Sequence, residues 1–162
     1  EGHVLAGSVK GFARSGMAIA VRAGAPQPDI SSEDAVKRAV AAAGKVGYST
    51  GPSGDHVLKL CERWGILPSG AGRLVKAPPG VPVGSLVAKG EVDLGFQQLS
   101  ELLHEPGIAI VGPLPPDIQA VTVFAAGVSR TSPQPEETRA LIAFLASPEA
   151  EDDKRAQGME GA

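Results

Sequence analysis

Residues 49–55 place hydroxyl side chains and glycines between a strand-like run and a helical pattern, a combination that can bind an anion. The N-terminus of a helix offers free backbone N–H groups and the positive end of the helix dipole. Glycine lets the backbone approach a ligand closely, and serine adds a hydroxyl donor. We therefore predict that an anion contacts the chain around Ser53 and Gly54. The alternative is an ordinary strand-to-helix loop with a serine or aspartate cap.

Two other short segments could hold ligand groups near the ends of strands. Gln97 and Gln98 end an apolar run, and each side-chain amide can both donate and accept hydrogen bonds. The alternative for this pair is that one glutamine is exposed and the other satisfies a nearby backbone group. Gly80 and Val81 follow two prolines and lead into a helix N-terminus. Both pairs are predicted ligand-binding positions.

Residues that could carry catalysis or hold a metal are poorly grouped. Asp55 and His56 are neighbours at the start of a helix, where adjacent side chains point in different directions. Cys61 lies on the apolar face of that helix, which indicates a packing residue rather than a nucleophile. The remaining histidines, His3 and His104, have no cysteine or acidic partner at ligand spacing. No catalytic residue, metal site or cofactor is predicted.

The elements that position these residues alternate along the chain. Short apolar runs predict strands at 17–21, 45–49, 73–76, 92–97, 108–111 and 121–126. Helical spacing predicts helices at about 32–43, after 55, between 80 and 90, at 98–103, from 135 and from 147 to about 158. A glycine-rich connection is expected at 66–72 and a turn at 112–116. The alternation predicts an α/β fold with a parallel or mixed sheet and helices on both faces.

Details of three helices also follow from the sequence. Ser31 followed by Asp34 has the spacing of a capping box. The helix from 135 carries Leu141, Ile142 and Leu145 on one predicted face. Residues 151–155 are charged, which indicates a solvated helix face.

The composition excludes several classes of protein. The formal net charge is −3 and aromatic residues make up 4% of the 162 residues, which argues against nucleic-acid binding. The hydrophobic fraction of 43% is ordinary for a globular protein with a core. No apolar run approaches the roughly 20 residues that cross a bilayer. A single cysteine rules out an intramolecular disulfide.

Three segments together resemble the molybdate-binding-type family of extracellular solute-binding proteins, which has the type II periplasmic binding fold. They are residues 18–32, residues 86–101 and residues 141–149. The resemblance implies two α/β lobes joined by crossing strands, with an anion closed between them. It divides the chain into a hinge-crossing segment and strand at 1–22, a second lobe at 23–118, and a returning crossover strand with C-terminal helices at 119–162. Most of the first lobe is expected to be absent.

The same resemblance implies which positions contact the ligand and what the ligand is. Ser53, Gly54, Gly80 and Val81 match positions where the family binds an anion through backbone N–H and hydroxyl groups. True molybdate binders have a tyrosine at about Gln98. The amide at this position therefore favours an organic carboxylate as a competitor to molybdate.

The function implied is the extracytoplasmic, periplasmic component of an ABC-type transporter, which delivers a small anion to a membrane permease. The alternative is an isomerase that acts on a small tricarboxylate such as aconitate. That reaction requires a base, and Glu101 and His104 are the candidates near the glutamine pair. Without a first lobe, the strands at 17–21 and 121–126 are expected to be exposed and to drive self-association.

Overall fold

The computed structural model describes residues 2–66 and 73–162, which form alternating strands and helices as the sequence predicts. The first elements are β1 (Lys10–Arg22), α1 (Glu33–Ala42), β2 (Val46–Tyr48), α2 (Pro52–Arg63), β3 (Leu74–Lys76) and α3 (Val83–Ala88). They are followed by β4 (Leu94–Gln98), α4 (Leu99–Leu102), β5 (Ile108–Pro113), β6 (Val121–Ala126), α5 (Pro135–Leu145) and α6 (Glu151–Ala156). Short 3₁₀ turns occupy Pro116–Ile118 and Pro148–Ala150. The glycine-rich connection predicted at 66–72 lies, from residue 67 onward, outside the described residues.

The chain divides into two compact units. The central unit is Gly16–Val121, and the terminal unit combines residues 2–15 with residues 122–162. Both boundaries fall inside strands, because β1 and β6 each contribute residues to both units. The three-segment division implied by the resemblance stays a prediction.

The sheet of the central unit is mixed, as predicted. Its strand order is β3-β2-β4-β1-β5. The strand β2 runs parallel to its two neighbours β3 and β4, with Tyr48 level with both Lys76 and Phe96. The strand β1 runs antiparallel to β4 and β5, with Met17 opposite Gln98. The carboxyl ends of β3, β2 and β4 therefore meet at one edge of the sheet.

Helices cover both faces of this sheet, because alternate side chains of a strand point to opposite sides. On one face Ile19, Val46 and Phe96 pack against α1 and α2 in the main core. On the other face α3 contributes Val83 and Val87 to a second cluster. Burying each such aliphatic side chain contributes about 1.5–3 kcal/mol.

A pair of glycines allows α3 to lie close to the sheet. Gly47 of β2 and Gly95 of β4 are directly level with each other. A Cβ atom at Gly95 would lie 2.5 Å from Val87 Cγ2, and one at Gly47 would lie 3.1 Å from Val83 Cγ1. Without side chains at these two positions, the start of α3 reaches the end of β4.

Several predicted element bounds differ from the structure. The helix α1 is capped by Ser32, whose Oγ accepts the Ala35 N–H at 3.2 Å, so the capping box at Ser31 is wrong by one residue. The turn predicted at 112–116 is wrong at its start, because residues up to Pro113 still pair with β1. The run 17–21 is part of a longer strand, and its residues are at most 2% exposed because β4 and β5 pair with it on both sides. The expectation that this run is exposed is therefore wrong.

The strand β6 pairs with β1, and Val121 and Val123 of β6 are each more than half exposed. The prediction that 151–155 is fully solvated is wrong at Lys154, which is buried and places Nζ 3.1 Å from Glu151 Oε1. Of the residues predicted to share one face of α5, Ile142 is buried and Leu141 is 57% exposed. None of the described helices is both long and apolar enough to cross a membrane.

Candidate anion-binding site

Three of the segments singled out from the sequence end at the same edge of the central sheet. Ser49 follows the last residue of β2, and Gln97 comes directly after the β4 residue that is level with Tyr48. The chain after β3 is held beside them, because the Ala77 N–H donates to the Tyr48 carbonyl at 2.8 Å. In open α/β sheets ligands collect at the carboxyl ends of strands, so this edge is the candidate site.

The N-terminus of α2 leaves one backbone donor of its first turn available. The N-cap is Gly51, which has no side chain to bond to the N–H groups of the first turn, and Pro52 has no N–H group. The N–H groups of Gly54 and Asp55 both donate to the Gly51 carbonyl, at 2.9 and 3.2 Å. The Ser53 N–H makes no hydrogen bond to any residue in 2–66 or 73–162. The donor that this helix offers to an anion is therefore the Ser53 N–H.

Gly54 contributes space at this turn. A Cβ atom there would lie only 1.9 Å from the Ser49 carbonyl oxygen and 3.1 Å from Tyr48 Cδ2. The backbone of the loop can therefore close over the helix start only because residue 54 has no side chain.

The hydroxyl groups of Ser49 and Ser53 form a part-buried pair. Their oxygens are 2.6 Å apart, and Ser53 is only 3% exposed. In such a pair one hydroxyl hydrogen is used between the two oxygens, and the hydrogen of the accepting hydroxyl remains. The pair thus holds one further donor beside the Ser53 N–H.

The segment around Gly80 forms a tight turn. The Val81 N–H donates to the Pro78 carbonyl at 3.0 Å, and Gly80 has φ +78°, as the third residue of a type II turn requires. The Val81 N–H is therefore already used within the chain. Gly80 lies beside the end of β3, and its contact with a ligand stays a prediction.

The two adjacent glutamines have different surroundings, because they point to opposite faces of β4. Gln97 is 7% exposed, and its Oε1 accepts the Val83 N–H at the start of α3 at 2.9 Å. Gln98 is 6% exposed and shares the opposite face with Phe96. The sequence left open that one of the two glutamines bonds to a backbone group, and Gln97 does so through Oε1.

The side chains considered for catalysis do not form a reactive group. Asp55, Glu101 and His104 are exposed, and His56 places Nε2 2.8 Å from the Ile118 carbonyl oxygen. Cys61 is fully buried, and desolvation raises the pKa of its thiol, which confirms it as a packing residue. Within the described parts of the chain, no three His, Cys, Asp or Glu side chains are grouped closely enough to hold a metal ion.

The sequence did not point to Gln119, whose side-chain amide is hydrogen-bonded to the backbone of β1 at Met17. Its Oε1 accepts the N–H groups of Met17 and Ala120, at 2.7 and 2.9 Å, and its Nε2 donates to the Met17 carbonyl at 3.0 Å. A Cβ atom at Gly16 would lie 3.2 Å from this amide. The only signal in the sequence is one polar residue between apolar neighbours, which does not identify its partners.

The family described as bacterial extracellular solute-binding protein matches residues 1–160. An aconitate isomerase of Pseudomonas sp. is 41% identical over 150 residues, which is 93% of this chain and 57% of that protein. The chain therefore spans little more than half the length of this curated relative.

Among solved structures, the substrate-binding domain of a putative molybdenum ABC transporter from Clostridium difficile superposes with a TM-score of 0.74 at 14% identity, covering 99% of this chain and 69% of that one. The periplasmic molybdate-binding protein of Azotobacter vinelandii gives a TM-score of 0.72 at 20% identity, covering 98% and 70% of the two chains. These likenesses confirm the predicted periplasmic binding fold.

Proposed function

Because this chain belongs to the bacterial extracellular solute-binding proteins, we propose that it captures a small organic carboxylate in the periplasm and delivers it to a membrane permease of the ABC type. The observation that carries the proposal is the part-buried group of donors at the start of α2. The Ser53 N–H and the hydroxyl pair of Ser49 and Ser53 lie at one sheet edge, and no acidic side chain of residues 2–66 or 73–162 is bonded to them. Such a group binds an ionised acceptor.

Two observations favour a carboxylate over molybdate. Gln98 occupies the position where the resemblance places a tyrosine in true molybdate binders. The relative that is 41% identical is named for aconitate, which is a small tricarboxylate.

A thermal-shift screen of the full-length protein with molybdate, tungstate, citrate, cis-aconitate and trans-aconitate tests the ligand class. A ligand present at 100 times its Kd stabilises the folded state by about 2.7 kcal/mol. We expect one of the carboxylates to raise the Tm by several degrees. Stabilisation by molybdate or tungstate alone would contradict the proposal.

Titration calorimetry with the best ligand tests the site. We expect Ser53→Ala to weaken binding by about 10-fold, since hydrogen bonds to charged groups contribute about 1.5–3 kcal/mol. Ser132→Ala, in the terminal unit, is the matched control and should leave the affinity unchanged. Equal affinities of the Ser53→Ala protein and the wild type would exclude this helix start as the site.

A second candidate function is the isomerisation of aconitate, favoured by the identity of 41% to an aconitate isomerase. Moving the double bond requires a base that removes a proton from carbon. Glu101 and His104 are the sequence candidates, and both are exposed. NMR of the full-length protein with cis-aconitate and trans-aconitate detects the conversion directly. Turnover that is lost in Glu101→Gln or His104→Gln would favour the enzyme, and binding without turnover would favour the transport protein.

A further inference from the structure

We infer that Gln97 is a specificity-determining residue, whose amide is fixed so that only its two N–H donors face a ligand. The inference rests on the proposed function, because it concerns how the same sheet edge recognises an ionised carboxylate. Two features carry it: the hydrogen bond that Gln97 accepts, and its place beside the serine pair.

The orientation of the Gln97 amide is dictated by its partner. The oxygen and nitrogen of a glutamine amide are distinguished by their hydrogen bonds. The backbone group at the start of α3 is the Val83 N–H, which can only donate, so the Gln97 oxygen must face it, as it does at 2.9 Å. A flipped amide would place an NH₂ group against an N–H group. The Nε2 atom therefore points away from Val83.

The two hydrogens on Gln97 Nε2 remain available. The residue is 93% buried, being 7% exposed, and its Nε2 makes no hydrogen bond to another residue of the described ranges 2–66 and 73–162. Gln97 Nε2 is not one of the fully buried polar atoms that lack a partner, so its hydrogens still reach solvent. A bound acceptor would take the place of this solvent. Because the oxygen faces Val83, the NH₂ group is the part of the amide that a ligand on the other side would meet.

The position of Gln97 places these donors at the candidate site. Ser49 and Gln97 each follow one residue of the pair Tyr48–Phe96, which is the last pair between β2 and β4. Neighbouring strands are about 4.8 Å apart, so one small anion can reach both positions. A group that only accepts, such as a carboxylate, suits both the fixed amide and the remaining hydroxyl hydrogen. A protonated acid or an alcohol still has an acceptor oxygen, but without the negative charge it binds these donors less strongly.

The substitution Gln97→Glu separates the two roles of this side chain. A glutamate keeps the shape and an oxygen acceptor for the Val83 N–H, while it replaces the NH₂ donors by a second, negatively charged oxygen. We expect the affinity for the carboxylate chosen by the thermal-shift screen to fall by at least about 100-fold in calorimetry, since a lost charged hydrogen bond alone accounts for about 10- to 150-fold. The Tm without ligand should change by only a few degrees. Gln134→Glu adds the same charge at an exposed position of the terminal unit and should keep the wild-type affinity.

Affinity of the Gln97→Glu protein within threefold of the wild type would overturn the inference and leave the proposed function intact. Failure of the proposed function appears instead in the wild type, as the absence of binding by any carboxylate. If the Gln97→Glu protein does not fold, the side-chain ¹⁵NH₂ signals of Gln97 in the wild type give the answer. A shift of these signals on adding the carboxylate supports the inference, and unchanged signals at saturation overturn it.

Discussion

Replacing Gly54 by alanine is expected to damage both the stability of the central unit and its binding of an anion. The added Cβ would lie 1.9 Å from the Ser49 carbonyl oxygen, so the two backbone segments must separate by at least about 1.1 Å to reach a distance of 3.0 Å. The neighbour is backbone and cannot rotate away as a side chain could. Overpacking of this kind costs about 1–3 kcal/mol. The same shift separates the Ser49 and Ser53 hydroxyls, which are now 2.6 Å apart.

Thermal unfolding and calorimetry of the full-length Gly54→Ala protein measure the two effects. At about 2–4 °C per kcal/mol for a protein of this size, the Tm should fall by several degrees. Binding should weaken by about 10-fold or more, as expected when one hydrogen bond to a charged group is lost. The control is Gly51→Ala, where φ is −107° and the space around the Cβ position is open, so both quantities should stay close to the wild type. A Gly54→Ala protein with wild-type Tm and affinity would refute the role given to this glycine.

Two further predictions concern charged residues outside the site. Glu33 accepts hydrogen bonds from Trp64 and Arg63, and the Trp64 bond is the main cause that holds the pKa of Glu33 below its ordinary value. Its stabilising effect is therefore present above the pKa of the unfolded chain and lost as the pH falls. Glu33→Gln should lower the Tm at pH 7, and the difference should shrink as the pH falls from the unfolded pKa, about 4.3, through the lower pKa of the folded protein. A difference that does not shrink at all on acidification would contradict this. Lys154→Ala should lower the free energy of unfolding by about 1–3 kcal/mol in denaturant, because it removes a buried side chain and leaves Glu151 without its ion-pair partner. Lys154→Met keeps the packing and should lower it by less. Equal losses in the two variants would show that the ion pair, and not the packing, is decisive.

The fold could be predicted largely from local patterns. Apolar runs of period two and helical spacing identify the described strands and helices, because the same spacing decides which side chains can be buried together. The start of α2 is also a local feature, since Pro52 and the glycines beside it signal a helix N-terminus. The length of β1 was not predictable in this way, because its first half is half-exposed and polar residues interrupt it.

The details of the site depend on contacts between distant residues. Gln97 meets the N–H of a residue 14 positions earlier, and this contact requires α3 to approach Gly47 and Gly95. The role of Gln119 likewise depends on Met17, 102 positions away. Spacing along the chain carries no information about such pairs. The sequence therefore indicates which residues could bind a ligand, and the structure decides which of their atoms are still available.

The available atoms also bear on whether the protein binds or converts its ligand. At the candidate edge the described chain presents the Ser53 N–H, one serine hydroxyl hydrogen and the Gln97 NH₂ group, and all of these donate. Donors hold an anion and stabilise negative charge, which serves transport and would also serve an enolate-like transition state. Removal of a proton from carbon needs an acceptor as well, and the two sequence candidates for it are exposed residues after β4. The donors at this edge are therefore common to both functions, and the measurement that separates them is the appearance of product, not the affinity for the ligand.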